Sequence, residues 1–366
     1  MKKKKILTPN LKSGMITAEE VYDFSNRLII STNTELDNDI IEKLKYYSVR
    51  AVKIFIPEEN DTESQPQKEI EKEDDHITYF EKIQKSETFQ IFTKDYATSI
   101  DLLKAALDNF VVQNNSDIID DMVVQVYDLA SNARNPLHLL DMMQCIRGYD
   151  DTTYAHSINV ALICNIIGTW LHLPNDELTV LLSAGLLHDI GKLKIPLEIL
   201  TKPGKLTDEE FKLMKKHSKY GYDILKTKPL DARIALVALQ HHERYDGSGY
   251  PYGLSGDEIE LFSSIVTIAD VYEAMTADRY YRKGICPFPV LEALEKEKNH
   301  YEPSVLHTFI NRTVEAYINS EVQLSNGELG KVILINQSFL SRPVVVTDDK
   351  TYDLSKDSSI QITTLL

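Results

Sequence analysis

His241-His242-Glu243-Arg244-Tyr245-Asp246-Gly247-Ser248-Gly249-Tyr250-Pro251 ends an apolar-periodic stretch, residues 229–242, with two adjacent imidazoles and a glycine-rich turn. The stretch before it has helical spacing. Gly247, Gly249 and Pro251 make a turn whose backbone can approach a ligand closely. Outward from this run one combination recurs: an ionisable side chain in, or at the end of, an otherwise apolar helical segment. His156 lies in YAHSINVA, His188 and Asp189 in LLHDIGK, His217 in MKKHSKYG and Asp270 in VTIADVYEAM. Burying such groups is costly unless they are paired or bound to metal. Imidazole nitrogen and carboxylate oxygen together suit iron, manganese, zinc and related divalent ions. Five imidazoles and two acids in this pattern point to one shared metal site. Taken singly, each has a blander explanation as a hydrogen-bonded core or surface residue. That explanation is kept for His76, His138, His172, His300 and His307.

Around this region the chain changes character several times. From 154 to 320 nearly everything reads as helix. Thr207-Asp208-Glu209-Glu210 is a capping box expected to open one helix running to about Leu225. Residues 261–277 are a further apolar-periodic helix, and Pro287 and Pro303 sit near helix starts. Upstream, 77–147 is helical, with Ala97, Ile100, Leu103, Ala106 and Phe110 at three- to four-residue spacing. Such helices serve as a connecting stalk or a homodimer face, or simply pack on the next domain. Residues 57–76 are acidic and carry two prolines, a linker composition. Residues 1–56 read as a small α/β module, with β-type runs at 27–30 and 49–56 and an amphipathic stretch at 37–46. Beyond 320 the period switches to alternation, and 321–366 is expected to be a small β module of three or four strands with a hairpin at Asn326-Gly327.

Charge narrows the partners. The chain has 366 residues, 40 Lys+Arg against 56 Asp+Glu, and a formal net charge of −16. A surface this acidic argues against long nucleic acid and anionic membranes. A few local cations or bound metals can still reverse the field inside one cleft. Cys145, Cys164 and Cys286 are too few and too scattered for a disulfide framework or a CxxC zinc site and are expected as reduced thiols. The four lysines near the start precede no apolar core of a secretory signal. No stretch approaches the roughly 20 apolar residues needed to span a bilayer. A cytoplasmic protein without membrane insertion is the simplest expectation.

The strings also resemble a family. His188-Asp189, with His156 upstream, is similar to the HD superfamily of metal-dependent phosphohydrolases, and the run from His241 to Pro251 resembles the defining motif of its HD-GYP branch. The flanks agree: Lys192, Ile195-Pro196, the run from Lys202 to Thr207, Ala274-Met275-Thr276, and Arg279-Tyr280-Tyr281-Arg282. The resemblance covers roughly 140–320. It implies a mainly α fold, an HD-type all-helical bundle over 148–320, between the small N-terminal α/β module, regulatory by analogy, and the small C-terminal β module. It implies hydrolysis of cyclic di-GMP to pGpG or GMP by a water activated between two divalent ions, with iron or manganese foremost and zinc, nickel, magnesium or calcium acceptable as purified. His156, His188, Asp189 and Asp270 would hold one ion, and Asp189, His217, His241 and His242 the other, with Asp189 bridging. Lys192 would contact the bridging solvent or the scissile phosphate. Arg279 and Arg282 could clamp phosphates, Tyr250 could stack on guanine, and Gly249 would let backbone approach the substrate.

Two departures qualify the resemblance. Some members carry a Glu one turn before the first His, for a third ion; here Thr152 stands there, so a two-metal site is expected. Tyr280 replaces a usual Pro, which bears on the shape of the substrate mouth. Two further readings stay open: a catalytically silent cyclic dinucleotide-binding module, which would be marked by a lost ligand or loop, and a hydrolase of another cyclic dinucleotide such as cyclic GMP-AMP.

Overall fold

The computed structural model describes residues 2–8, 11–22, 28–37, 40, 41, 44, 49, 51–56, 79–113, 117–146, 152–202, 204–277 and 286–366. The expected acidic linker at 57–76, His76, and the arginine pair Arg279 and Arg282 lie outside these residues.

At the amino end, β1 (Lys2–Leu7), β2 (Val21–Tyr22), β3 (Leu28–Ile30) and β4 (Ala51–Ile56) form two antiparallel pairs, β1 with β4 and β2 with β3. β1 was not anticipated, because four consecutive lysines have poor strand propensity. Pairing with the apolar β4 overrides that preference, and lysine is well suited to an exposed sheet edge. Ile41 and Leu44, helical positions within the 37–46 stretch, are buried in this module's own small core with Val52 and Ile54.

The helical region follows. α1 (Tyr79–Lys85), α2 (Glu87–Gln113), α3 (Asp117–Ser131) and α4 (Pro136–Cys145) lead into α5 (Thr152–Trp170) and α6 (Asn175–Leu187). The apolar stripe of α2 faces inward: Ile100, Leu103, Ala106 and Phe110 are buried in the same core as α5 and α6. α5 is apolar almost all round, which makes it the central helix. Gly185 lets α6 cross it closely, since an added Cβ there would stand 2.9 Å from the Ala161 Cα.

After α6 come a 3₁₀ turn (Ile190–Lys194), α7 (Leu197–Leu200), α8 (Asp208–Met214), α9 (Lys216–Leu225) and α10 (Ala232–Gln240). Both halves of the capping box at Thr207 and Glu210 are made, but the expected single helix is two, interrupted at Lys215. α11 (Leu261–Ala277), α12 (Pro287–Lys296) and α13 (Pro303–Ala316) complete the bundle, the last two with proline at their first position.

The carboxy-terminal sheet has five strands rather than three or four: β5 (Glu321–Leu324), β6 (Leu329–Asn336), β7 (Phe339–Val346), β8 (Thr351–Asp353) and β9 (Ile362–Leu365), in the order β8-β7-β6-β5-β9. β8 and β9 are too short to declare themselves by alternation and form by pairing on longer neighbours. The hairpin turns at Gly327, with φ +87°. Glu295 of α12 accepts the Leu340 and Ser341 amides at 2.8 and 3.0 Å, and Arg342 pairs with Glu292 at 2.9 Å, so the sheet is docked on the bundle by partly buried polar contacts. Among the described residues no helix is long and apolar enough to cross a membrane.

Candidate metal centre

Each of the seven expected ligands comes to one place. His156 projects from α5, Asp270 from α11, His188 and Asp189 from the end of α6, His217 from α9, and His241 and His242 from the end of α10. Gly191 brings two of these segments together. A Cβ there would fall 1.9 Å from the His217 carbonyl oxygen, so only glycine lets the turn after Asp189 lie directly on α9.

Asp189 is the centre. Its Oδ2 lies 3.3 Å from His188 Nε2 and 3.6 Å from His156 Nε2, and it accepts a hydrogen bond from Lys192 Nζ. Its Oδ1 lies 3.3 Å from His217 Nε2 and 3.8 Å from His241 Nε2. One carboxylate thus offers an oxygen to each half of the cluster. Asp270 Oδ1 closes the first half, 3.2 Å from His156 Nε2. His242 closes the second, its ring centroid 4.1 Å from that of His241 and 5.0 Å from that of His217. The back of the cage, His188, Asp189, His217 and His241, is buried, whereas His156, His242 and Asp270 are half-buried and form its open side.

Hydrogen bonds at the far ring nitrogens decide which atoms face inward. His188 Nδ1 donates to the Gly185 carbonyl at 2.8 Å and His217 Nδ1 to the Met214 carbonyl at 2.7 Å. His241 Nδ1 meets the Val237 and Ala238 carbonyls at 3.1 Å each. These are carbonyls of the preceding turn, reached because each imidazole sits at or near a helix end. His156 Nδ1 donates to Glu273 Oε2 at 2.6 Å. Carbonyls only accept, so His188, His217 and His241 present Nε2 lone pairs inward when neutral, whereas His156, between Glu273 and Asp270, has its pKa raised to about 10 and gives up its Nε2 proton to ligate. The inner nitrogens meet in two pairs: His156 and His188 Nε2 at 3.3 Å, and His217 and His241 Nε2, two facing acceptors, at 3.2 Å. Asp189 Oδ1 is buried without a hydrogen-bond partner. Facing lone pairs around an orphaned carboxylate oxygen are what a cation would satisfy. Among the described residues two groups have ligand atoms close enough for an ion: Asp189, His217, His241 and His242, and His156, His188 and Asp189.

Electrostatics favour the ligating form at every cage residue with a shifted pKa except His156, which, despite burial, Asp270 and Glu273 hold protonated up to about pH 10 until an ion displaces the proton. Burial pushes the His242 pKa down to about 3, and burial likewise lowers His217 and His241. Burial opposes ionisation of Asp189, but the Lys192 ammonium and His188 outweigh it and hold the acid well below the usual carboxylate range. Asp270 is also depressed: burial works against it, and the hydrogen bond with His156 prevails.

The loop over the cage is built by its own side chains. Glu243, buried, accepts the Tyr252 and Leu254 amides at 2.8 and 3.0 Å. Asp246 accepts the Ser248 amide at 3.0 Å. The space a Gly249 side chain would take belongs to backbone, with Arg244 N and Glu243 Cα 2.4 Å from the added Cβ. Tyr250, across a cis peptide from Pro251, packs its ring 4.7 Å from that of His242.

Reading the residues alone missed Glu273, Glu243, Asn159 and Tyr96. Glu273 lies one helical turn beyond Asp270, a spacing that could have marked it. Asn159 Nδ2 donates to Glu273 Oε1 at 3.0 Å, and the Tyr96 hydroxyl donates to Asn159 Oδ1 at 2.8 Å, a link across 63 positions that no local pattern announces. Of the residues set aside as bland, the described ones, His138, His172, His300 and His307, stay outside the two ligand groups; His138, for example, accepts the Arg134 amide at 3.2 Å, and burial lowers its pKa to about 4. The three cysteines are buried, and burial pushes the Cys286 thiol up to about 12.

Comparison with known proteins places this arrangement. The family model for the HD domain matches residues 115–305. A cyclic di-GMP phosphodiesterase of Pseudomonas aeruginosa is 36% identical over 219 residues, 60% of this chain and 51% of that protein. The cyclic di-GMP phosphodiesterase response regulator RpfG of Xanthomonas campestris is 35% identical over 185 residues, 50% of this chain and 47% of that protein. A 3'3'-cGAMP-specific phosphodiesterase of Vibrio cholerae is 39% identical over 161 residues, 43% of this chain and 31% of that protein. The chain spans about half the length of the first two of these relatives. The solved structure of an HDG"Y"P protein from Bdellovibrio bacteriovorus aligns over 84% of this chain and 98% of that one, with a TM-score of 0.50 and 16% identity, a likeness of fold. With a helical bundle that gathers histidines and aspartates around His188-Asp189, and with the family model matching more than half of its length, this chain belongs to the HD-domain family.

Proposed function

We propose that the chain is a metal-dependent phosphodiesterase that hydrolyses cyclic di-GMP to pGpG or GMP. The observation that carries this reading is Asp189, one buried carboxylate shared between two sets of inward-facing imidazoles beneath the 243–251 loop. Two divalent ions bound there would supply Lewis-acid charge for the phosphate and a water of lowered pKa. Iron or manganese is the favoured pair, given the mixed nitrogen and oxygen donors.

The chain's own residues divide the remaining work. Asp189, His156, His188 and Asp270 hold one position, and Asp189, His217, His241 and His242 the other. Lys192 keeps Asp189 ionised and puts an ammonium at the rim, where a phosphate oxygen would gather charge during attack. The half-buried side formed by His156, His242 and Asp270 is the approach for substrate. Tyr250 and Gly249 shape the loop over that approach, and Arg279 and Arg282 would clamp phosphates. In this reading 148–320 carries catalysis, 1–56 regulates it and 321–366 packs beside it, in a cytoplasmic protein. A homodimer through 77–147 would use the exposed Ile91, Leu102 and Val124, since the apolar stripe of α2 is spent on the core.

Names of relatives support the substrate class: those from Pseudomonas and Xanthomonas act on cyclic di-GMP. The Vibrio relative makes cyclic GMP-AMP the second reading. The test is elemental analysis of anaerobically purified protein with turnover of both dinucleotides under added iron or manganese. Cyclic di-GMP hydrolysis that vanishes, together with bound metal, in the double variant His188→Ala, Asp189→Ala is the expected result. Undiminished turnover in that variant would overturn the reading.

A further inference from the structure

Lys215 occupies the break between α8 and α9, and its Nζ lies 4.8 Å from the ring centroids of both Phe211 and Tyr250. Lys215 is half-buried, and among the described residues it has no carboxylate partner. Lys192, by contrast, is held by Asp189, while Arg244 turns one nitrogen to the Glu243 carbonyl at 3.3 Å. Two aromatic faces attract an ammonium without neutralising it, so Lys215 is positioned and still available to an anion.

Its position is informative. Tyr250 is shared between Lys215 and the metal ligand His242, which places the free ammonium one aromatic ring away from the cage. A cyclic dinucleotide brings two phosphodiesters. The one under attack faces the cage; the other remains a full negative charge beside a protein of net charge −16 and needs a local cation. Tyr250, engaged by both His242 and Lys215, has little free face to offer a base, whereas Phe211 is 46% exposed.

On the reading given under Proposed function, we infer that Lys215, held between Phe211 and Tyr250, is the positioning residue that binds the phosphodiester not being hydrolysed, with the Phe211 ring beside it for a purine. It acts on substrate binding and specificity, not on the bond that breaks.

The experiment compares wild type, Lys215→Met and Lys215→Arg as full-length, metal-loaded protein with cyclic di-GMP and with bis(p-nitrophenyl) phosphate, a diester that has one phosphate and no purine. Loss of a charge-assisted contact corresponds to about tenfold or more in KM. Lys215→Met is expected to raise KM for cyclic di-GMP by that factor while kcat stays within about twofold, so that the ratio of kcat/KM between the two substrates falls about tenfold. Lys215→Arg should restore most of it. An unchanged KM for cyclic di-GMP, or an equal loss on both substrates, overturns the proposal while turnover by wild type leaves the phosphodiesterase reading intact. Wild-type protein that cleaves the model diester but neither cyclic dinucleotide overturns that reading and this proposal together.

Discussion

The Glu273 carboxylate accepts a 2.6 Å hydrogen bond from Nδ1 of His156, and this contact orients a cage imidazole through a carboxylate where His188, His217 and His241 use backbone carbonyls. Glu273 is itself held by Asn159 and is nearly inaccessible to solvent. Removal of such an outer partner weakens metal binding about 10- to 100-fold. Glu273→Ala should therefore need that much more free metal for half-occupancy in a chelator competition. Equal affinity in the variant would mean that His156 is oriented by other contacts.

Gly191 and Gly204 make an internal comparison. A Cβ at Gly191 meets backbone of His217 and Gly221 at 1.9 and 2.5 Å, atoms that cannot swing aside, whereas at Gly204 it meets nothing within 4 Å, despite φ +101°. Gly191→Ala should cost on the order of 1–3 kcal/mol or more and displace α9 with His217. Gly204→Ala should cost about 1 kcal/mol through its backbone conformation. Urea melts of both variants measure the difference; comparable losses would contradict the close approach at Gly191.

Stability of the metal-free protein should fall on both sides of neutrality. Unfolded imidazoles titrate near about 6.5. Burial drops His242 to about 3 in the folded chain and moves His217 and His241 the same way, so below about 6.5 the unfolded chain takes up protons that the folded chain refuses. Acidification from about 6.5 toward about 3 thus removes stability. Asp189 adds to the loss once pH drops through the unfolded carboxylate range of about 4. His156 has the opposite sign: burial disfavours its charge, but Asp270 and Glu273 raise it to about 10, so its contribution is complete below about 6.5 and gone once pH passes about 10. Melting temperatures at pH 4.5, 7 and 10 check this, and a flat profile would contradict it.

Chelation should lower the melting temperature, because an ion that binds only the folded cage stabilises by mass action. At a free concentration one hundred times Kd the gain is about 2.7 kcal/mol. Calorimetric scans with and without chelator, and then with metal restored, read the effect. A double variant His188→Ala, Asp189→Ala should show no response to chelator; a response equal to wild type would place the ion elsewhere.

Much of this was legible in the residues alone. Each ligand stands at the end of, or within, an apolar helical run, and a charge in such surroundings demands a partner; that physical demand marks His156, His188, Asp189, His217, His241, His242 and Asp270 without any coordinates. The helix starts at Thr207, Pro287 and Pro303 and the turn at Gly327 are likewise local, because capping, proline geometry and positive φ depend on neighbouring residues only. What needed tertiary structure was everything that joins distant segments. Tyr96 reaching Asn159, Glu273 reaching His156, Glu295 anchoring Leu340, and β1 pairing with β4 are contacts between positions whose local sequence is silent about the partner. The side-chain demand is written in the chain, whereas the choice of which group answers it is made by packing, where helices bring together residues that are far apart in order and close in space.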